Sequence, residues 1–240
     1  MFDYKFNPKK ILLILILSVV FFQQKVISQE EMIKQAQEIR DKYTQAIGGK
    51  ENLEKIKTIE TEYKIWSENA AKTVKRIEDR NTKPIKYYEV TESEITGKFE
   101  SGFDGKKRWI KSTDASGYAD DDKKASSLEQ SFIRLPNETI ENKEFLVLQL
   151  LVTGKIPIVT KLYYDPNTYL LMQREVTIEA RGIKNTQITY FDKYQKIGDI
   201  LTPFSEVLTQ NGRVISEKHI LSIKYNAEYP ADTFEYKASK

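Results

Sequence analysis

Residues 158–180 read IVTKLYYDPNTYLLMQREVTIEA, two strand-like segments on either side of a turn. The turn is Asp165-Pro166-Asn167-Thr168, in which the proline ring presets its own φ. The flanking segments, Val159–Tyr164 and Tyr169–Ala180, are rich in β-branched and aromatic residues. The stretch therefore predicts an antiparallel hairpin.

The same strand-like alternation recurs along most of the chain. Asp104-Gly105 and Asn211-Gly212 each predict a further hairpin, because these residue types tolerate positive φ. No helical pattern separates successive strands in these runs, which favours an antiparallel meander of about ten strands over a parallel sheet. The first predicted strand begins at Thr58, and the others span 72–79, 84–91, 94–103, 106–112, 158–164, 169–180, 184–192, 202–209 and 214–225.

Helices are predicted before and within this series of strands. Residues 30–47 place apolar side chains at helical spacing and end at Gly48-Gly49, and residues 50–56 predict a shorter helix. Residues 141–153 form the most apolar stretch after residue 28 and predict a helix covered on more than one side. That helix either plugs the core of a curved sheet or shields a binding cavity.

Two shorter segments complete the predicted secondary structure. Residues 120–124 are charged and flanked by small residues, which predicts a loop. Residues 128–133 are a candidate for a short helix.

The first 28 residues have the pattern of an export signal. A basic front is followed by the apolar run Ile11–Phe22 and by Val26-Ile27-Ser28, which predicts cleavage near Ser28. Twelve helical residues reach only about 18 Å, short of the roughly 30 Å hydrocarbon core. A lipid anchor on the mature N-terminus requires cysteine, and the chain has none. We therefore expect residues 29–240 to form one soluble, unanchored domain in the periplasm or outside the cell.

Composition removes several classes of function. Residues 1–28 hold four lysines and one aspartate, so 34 basic and 34 acidic residues remain of the 38 and 35 in the whole chain. A nucleic-acid partner is not expected without a basic surplus. Without cysteine, and with His219 as the only histidine, no metal, cofactor or catalytic residue is predicted. The expectation is a protein that is not an enzyme.

The candidate binding residues are bulky apolar or aromatic side chains expected to line one concave face. Curved antiparallel sheets of this size either fill their interior with side chains or enclose a ligand. Most candidates lie on alternating strand positions, and the two leucines come from the predicted helix 141–153. The candidates are Tyr63, Tyr87, Phe99, Trp109, Leu148, Leu151, Tyr163, Met172 and Tyr190.

The order of several short motifs resembles that of periplasmic outer-membrane lipoprotein-sorting proteins of the LolA-like superfamily. These motifs are Ala46-Ile-Gly-Gly49 after the first helix, Gly102-Phe-Asp-Gly105 leading to Trp109, an apolar segment before Gly154-Lys155, and Tyr163-Tyr-Asp-Pro-Asn-Thr-Tyr-Leu-Leu171.

This resemblance implies a mainly β (α+β) fold, a strongly curved antiparallel half-barrel of about 10–11 strands with helices covering its open mouth. It also implies an apolar interior that receives the acyl chain of a lipid or lipoprotein by reversible sequestration. The arginine that ties down the lid in well-studied carriers has no counterpart between Leu53 and Lys75, where the first strand offers only Lys64.

Three functions follow from the sequence. The first is a soluble monomer that binds a lipid or lipoprotein acyl chain and has an envelope protein as a partner. The second is a structural or protein-interaction module of the envelope, with a filled core and no ligand. The third is a hydrolase with two close carboxylates or with a serine near His219.

Overall fold

The computed structural model describes residues 28–68, 70–112, 116–118, 130–152 and 158–237, without the side chains of Gln130, Leu151 and Val152. Two helices come first, α1 (Gln29–Ala46) and α2 (Lys50–Glu54). The strands that follow are β1 (Thr58–Ser67), β2 (Ala70–Asp79), β3 (Lys86–Ser93), β4 (Gly97–Phe103), β5 (Arg108–Lys111), β6 (Ser116–Tyr118), β7 (Gln130–Ile140), β8 (Lys143–Val152), β9 (Ile158–Tyr164), β10 (Leu171–Ala180), β11 (Ile183–Ile197), β12 (Ile200–Gln210) and β13 (Arg213–Tyr225).

All thirteen strands of the described residues belong to one antiparallel sheet. Their order is β6-β5-β4-β3-β2-β1-β13-β12-β11-β10-β9-β8-β7. Two meanders therefore meet where the first strand pairs with the last, and β6 and β7 form the edges. This arrangement confirms the predicted antiparallel meander and fits a half-barrel. The sheet has thirteen strands instead of the predicted 10–11, because β6, β7 and β8 were not predicted as strands.

The hairpin predicted at residues 158–180 forms, with β9 paired antiparallel to β10. The Oδ1 atom of Asp165 accepts backbone hydrogen bonds from Asn167 and Thr168, both at 3.0 Å, which closes the turn between β9 and β10. Asn211 and Gly212 also join β12 to β13, with φ values of 49° and 83°. The hairpin at Asp104 forms through a longer turn, because Asp104 N donates to Lys107 O at 3.2 Å.

The predicted helix at 141–153 is wrong, since residues 143–152 form strand β8. Phe145 and Val147 are buried on one face of the sheet, while Leu146 and Leu148 pack on the other. A strand buried on both faces loses its polar alternation and reads as a continuous apolar run, which periodicity cannot distinguish from a buried helix. The short helix expected at 128–133 is also wrong from residue 130 onward, where β7 begins.

Other predictions fall on residues that the structure does not describe. The loop at 120–124 and residues 1–27 of the export signal lie outside the described ranges. The cleavage near Ser28 and the extent of the mature domain therefore stay predictions.

Helix α1 begins and ends at sequence signals for capping. The Ser28 hydroxyl accepts a hydrogen bond from Glu31 N at 3.2 Å, as an N-cap side chain does. At the other end, Gly48 has a φ of 132°, and a Cβ there would lie 2.5 Å from Asp199 O. Only glycine allows this close approach of the chain to the start of β12.

The sheet has two faces that the strand register defines. On one face, Ala36 and Ile39 of α1 are buried against Leu148 of β8 and Tyr164 of β9. Leu162 belongs to the same cluster and lies directly opposite Arg174 of β10, so the helix and Arg174 share a face. We call it the concave face.

A pocket shows the direction of the curvature. Its lining includes Ile65 of β1 and Arg174 of β10. Three other strands, β13, β12 and β11, lie between β1 and β10 in the sheet. In a flat sheet β1 and β10 would lie about 19 Å apart, at four strand spacings. One small pocket reaches both strands because the sheet curves toward this face.

The opposite, convex face is covered at β1–β6 by the C-terminal segment, residues 226–237. The Nε1 atom of Trp109 donates to Phe234 O at 2.9 Å, and both side chains are buried. The Tyr236 ring packs on Trp109 with centroids 6.0 Å apart. Glu60 accepts a hydrogen bond from Tyr229 at 2.7 Å and contacts Lys75 at 3.0 Å.

Candidate functional site

The candidate site is the pocket on the concave face, with a volume of about 260 Å³. Apolar side chains come from three strands: Ile65 of β1, Val176 of β10 and Leu208 of β12. Polar and charged side chains complete the lining. They are Arg174, Gln187, Thr189, Glu206, Ser216 and Lys218.

Lys218 and Glu206 form an ion pair inside this pocket. Lys218 Nζ lies 2.8 Å from Glu206 Oε1, and each side chain is only 27% exposed. The same ammonium group lies 4.8 Å from the ring centroid of Tyr63, within the range of a cation–π interaction. The two opposite charges therefore cancel, and the contact with Tyr63 holds Lys218 against the concave face.

A second charged group lies beyond Tyr63 on the same face. Arg76 of β2 contacts Glu78 at 2.8 Å and Glu89 at 3.0 Å, and its guanidinium stacks 4.4 Å over the Tyr87 ring. Burial, together with the charge of Glu89, raises the pKa of Tyr63 to about 12. The phenol thus stays neutral between two ion-paired clusters, and this part of the concave face is less apolar than the sequence suggested.

Arg174 differs from these two cations. Its Nη2 atom is 3.4 Å from the hydroxyl of buried Thr189, a long hydrogen bond. Among the described residues, no carboxylate lies within ion-pair distance of its guanidinium. Arg174 therefore presents an uncompensated positive charge to the pocket.

Three isoleucines extend the apolar surface from the pocket to the rim of the sheet. Ile178 follows Val176 on the concave side of β10, Ile158 lies directly opposite Ile178, and Ile183 lies opposite Ala180. Their exposed fractions are 39% for Ile158, 40% for Ile178 and 73% for Ile183. Exposed apolar clusters of this kind mark binding surfaces more often than isolated residues do.

Four of the predicted site residues lie on the concave face. Tyr63 and Leu148 do so through the contacts described above, and Tyr87 and Phe99 follow from the pairing of β2, β3 and β4. Leu148 is fully buried under α1, so it is not part of the open pocket. Their role in ligand binding stays a prediction.

Four others lie on the convex face, so the predicted residues do not form a single surface. Trp109 is covered by the C-terminal segment, and Tyr163 belongs to the cluster of Phe145 and Val147, against which Met172 packs. Tyr190 lies opposite Gln173, the partner of Tyr163. The side chain of Leu151 is outside the described part of the structure.

A β-bulge explains the error at Met172. The register of β9 and β10 shifts between Leu171 and Gln173, and such a shift moves a side chain to the other face. For Trp109 and Tyr190, the alternation within a strand was visible in the sequence, but the face it selects depends on pairing with distant strands.

Sequence reasoning missed the pocket residues that matter most here. Arg174, Val176 and Ile178 alternate on β10, and this period of two was a usable signal. Arg174 is not among the predicted site residues, because all of those are bulky apolar or aromatic side chains.

The polar residues considered for catalysis have structural contacts. His219 of β13 lies on the convex face, with its ring 5.0 Å from the Trp66 ring and Nε2 3.7 Å from Glu217. Ser205 lies opposite His219 in the sheet, and no hydrogen bond joins the two side chains. No cluster of three metal-binding side chains occurs among the described residues.

Comparisons with known proteins find similarity in structure only. No family model matches the chain, and no curated protein matches its sequence. The fold is similar to that of a domain from Vibrio parahaemolyticus described as an outer membrane lipoprotein-sorting protein domain. The TM-score is 0.58 at 11% identity, covering 87% of this chain and 97% of that one.

Two further solved structures have the same fold. A DUF1329 family protein from Desulfovibrio piger aligns with a TM-score of 0.57 at 10% identity, over 83% of this chain and 96% of that chain. A LolA superfamily protein from Nitrosomonas europaea gives 0.55 at 10% identity with the same coverages. Neither α1 nor α2 combines the length and the hydropathy that a membrane-spanning helix requires.

Proposed function

Since the chain has a LolA-like fold, we propose that it is a periplasmic, monomeric binding protein without enzymatic activity, which holds the acyl chain of a lipid or lipoprotein on its concave face. The observation that carries this proposal is the continuous apolar surface from the pocket to the rim. Val176 in the pocket leads to Ile178, Ile158 and Ile183, three isoleucines that are all exposed on the same face.

The energetics favour an acyl chain as the occupant. When an acyl chain covers an exposed isoleucine, apolar surface of both the isoleucine and the acyl chain is removed from water. Each buried methylene contributes about 0.8 kcal/mol. A chain of a dozen carbons lying over this surface therefore gains several kcal/mol in total, before the cost of losing its own freedom.

In this proposal α1 covers one end of the binding surface. The helix packs on the concave side of β7–β9, next to the pocket, through Ala36, Ile39 and their partners. An acyl chain that enters from the isoleucine rim would reach the helix at Leu162, the residue opposite Arg174.

A protein-interaction module is the second candidate, because the concave face beneath α1 is filled by side chains. Ala36 and Leu148 are both fully buried there, and the Tyr43 and Tyr164 rings are in edge contact at 5.5 Å. In this reading the isoleucine rim would bind an apolar surface of a protein partner from the envelope, and no lipid would copurify.

The test uses N-phenyl-1-naphthylamine, a neutral apolar dye that fluoresces when it leaves water. We expect saturable binding to residues 29–240 and weaker binding to Ile178→Ser. Ile85→Ser is the matched control, because Ile85 is 43% exposed but lies in the turn before β3, a strand six positions away from β10 in the sheet.

Mass spectrometry of an organic extract of the protein, purified from an exporting bacterium, should show a bound acyl lipid. The proposal is wrong if the dye does not bind wild-type protein, or if the two isoleucine variants bind it equally.

A further inference from the structure

We infer that the ligand of the concave pocket is a single-chain amphiphile with one negative charge, a fatty acid, whose carboxylate binds Arg174. This inference rests on the proposed function, since it specifies the head of the acyl ligand. Nothing in the family resemblance assigns a role to Arg174.

First, the guanidinium of Arg174 has N–H donors that are available to a ligand. Within the described part of the chain, its guanidinium makes only the long hydrogen bond to Thr189, at 3.4 Å, although it has five N–H donors in a planar fork. The fork matches the two oxygens of a carboxylate, which it binds with two parallel hydrogen bonds. An arginine held by a neutral hydroxyl and lacking a carboxylate partner is therefore suited to take one from a ligand.

The second step is the charge of the pocket. The charges of Lys218 and Glu206 cancel at a distance of 2.8 Å. The residues that line the pocket therefore have a net charge of +1, which is the charge of Arg174. A carboxylate balances this charge. A dianionic phosphate head would bring a second negative charge into a pocket that already contains Glu206, so a monoanion fits better.

The third step is the direction of the chain. Val176 and Ile178 follow Arg174 on the concave side of the same strand. At the rise of a β-strand, Ile178 lies about 13 Å from Arg174. A chain whose carboxylate binds Arg174 can thus lie over Val176 and reach the exposed isoleucines at the rim.

The experiment measures displacement of the naphthylamine dye by three ligands of equal chain length: dodecanoate, 1-dodecanol and dodecyl phosphate, all at pH 8. Wild-type protein should bind dodecanoate about tenfold more tightly than dodecanol, the effect of one charge-assisted hydrogen-bonded pair. Arg174→Gln should abolish that preference while it leaves dodecanol binding unchanged. Arg174→Lys keeps the charge but not the fork, and should retain part of the preference.

Lys106→Gln is the control for net charge, because Lys106 is exposed in the turn between β4 and β5, far from β10 in the order of the sheet. It should bind all three ligands as wild-type protein does. Equal affinities of wild-type protein for dodecanoate and dodecanol would overturn the inference and leave the proposed function intact. Tighter binding of dodecyl phosphate would overturn the assignment of a carboxylate head. If no ligand displaces the dye, the proposed function itself fails.

Discussion

Replacing Gly102 with alanine should detach the C-terminal segment from the convex face. Gly102 of β4 lies directly opposite Trp109 of β5, and the indole packs against it. A Cβ at position 102 would be 2.4 Å from Trp109 Cε2 and Cζ2, against at least 3.4 Å for an ordinary contact. The indole must therefore move by about 1 Å, away from a site in which it is 3% exposed.

The magnitude follows from three contributions. Overpacking of a buried site costs about 1–3 kcal/mol. The displaced indole also loses its hydrogen bond to Phe234 O, worth about 0.5–1.5 kcal/mol. Alanine recovers about 0.5–1 kcal/mol relative to glycine within a strand. The free energy of unfolding of Gly102→Ala should therefore fall by about 0.5–4 kcal/mol.

The assay is urea unfolding followed by circular dichroism, together with tryptophan emission in a Trp66→Phe background, so that only Trp109 reports. We expect a lower unfolding midpoint and a red-shifted native emission, because the indole moves toward water. Ser101→Ala is the control on the same strand and should change stability by less than about 0.5 kcal/mol. An unchanged emission spectrum and midpoint in Gly102→Ala would refute the proposed packing of the segment on Trp109.

Three other results are expected. Leu148→Ala should lower the free energy of unfolding by about 2–5 kcal/mol in urea titrations, because it empties a fully buried site between α1 and the sheet. Burial opposes ionisation of Glu60, but Tyr229 and Lys75 lower its pKa below the usual 4.5, so its stabilising effect is lost as the pH falls through that lowered value. Glu60→Gln should therefore be less stable at pH 7 and show a smaller loss on acidification to about pH 3. Cleavage after Ser28 would remove the N-cap of α1. A protein that begins at Ser28 should therefore have a free energy of unfolding about 1 kcal/mol higher than one that begins at Gln29. The intact mass of the exported protein shows which of the two is the natural N-terminus.

Local sequence signals predicted most of the secondary structure in which one face of an element meets water, although β6 and β7 were missed. Helix α1 and the turns at Asp165 and Asn211 lie close to the predicted positions, because capping and turn residues act over a few residues. Strand β8 was missed for the opposite reason. Its two faces are buried by different clusters, and only the fold determines that both are covered.

The candidate site was harder to predict than the fold, because a site depends on which face each side chain occupies. Tyr63 and Tyr163 are both aromatic strand residues, yet pairing through distant strands places them on opposite faces. One bulge at Met172 is enough to reverse the face of a residue without any change in composition. Arg174 lines a pocket because the curved sheet brings β10 and β1 to the same cavity, and local sequence patterns do not encode this curvature.

The two covers of the sheet explain why the open pocket lies where it does. Helix α1 covers the concave face at β7–β9, and the C-terminal segment covers the convex face at β1–β6. The concave surface from β10 to β1 is left without either cover, and it contains both the pocket and Arg174. A ligand can therefore reach Arg174 from the isoleucine rim while Ala36 and Leu148 stay packed. Binding should be limited by the fit of the ligand to this surface, and not by the free energy needed to move α1.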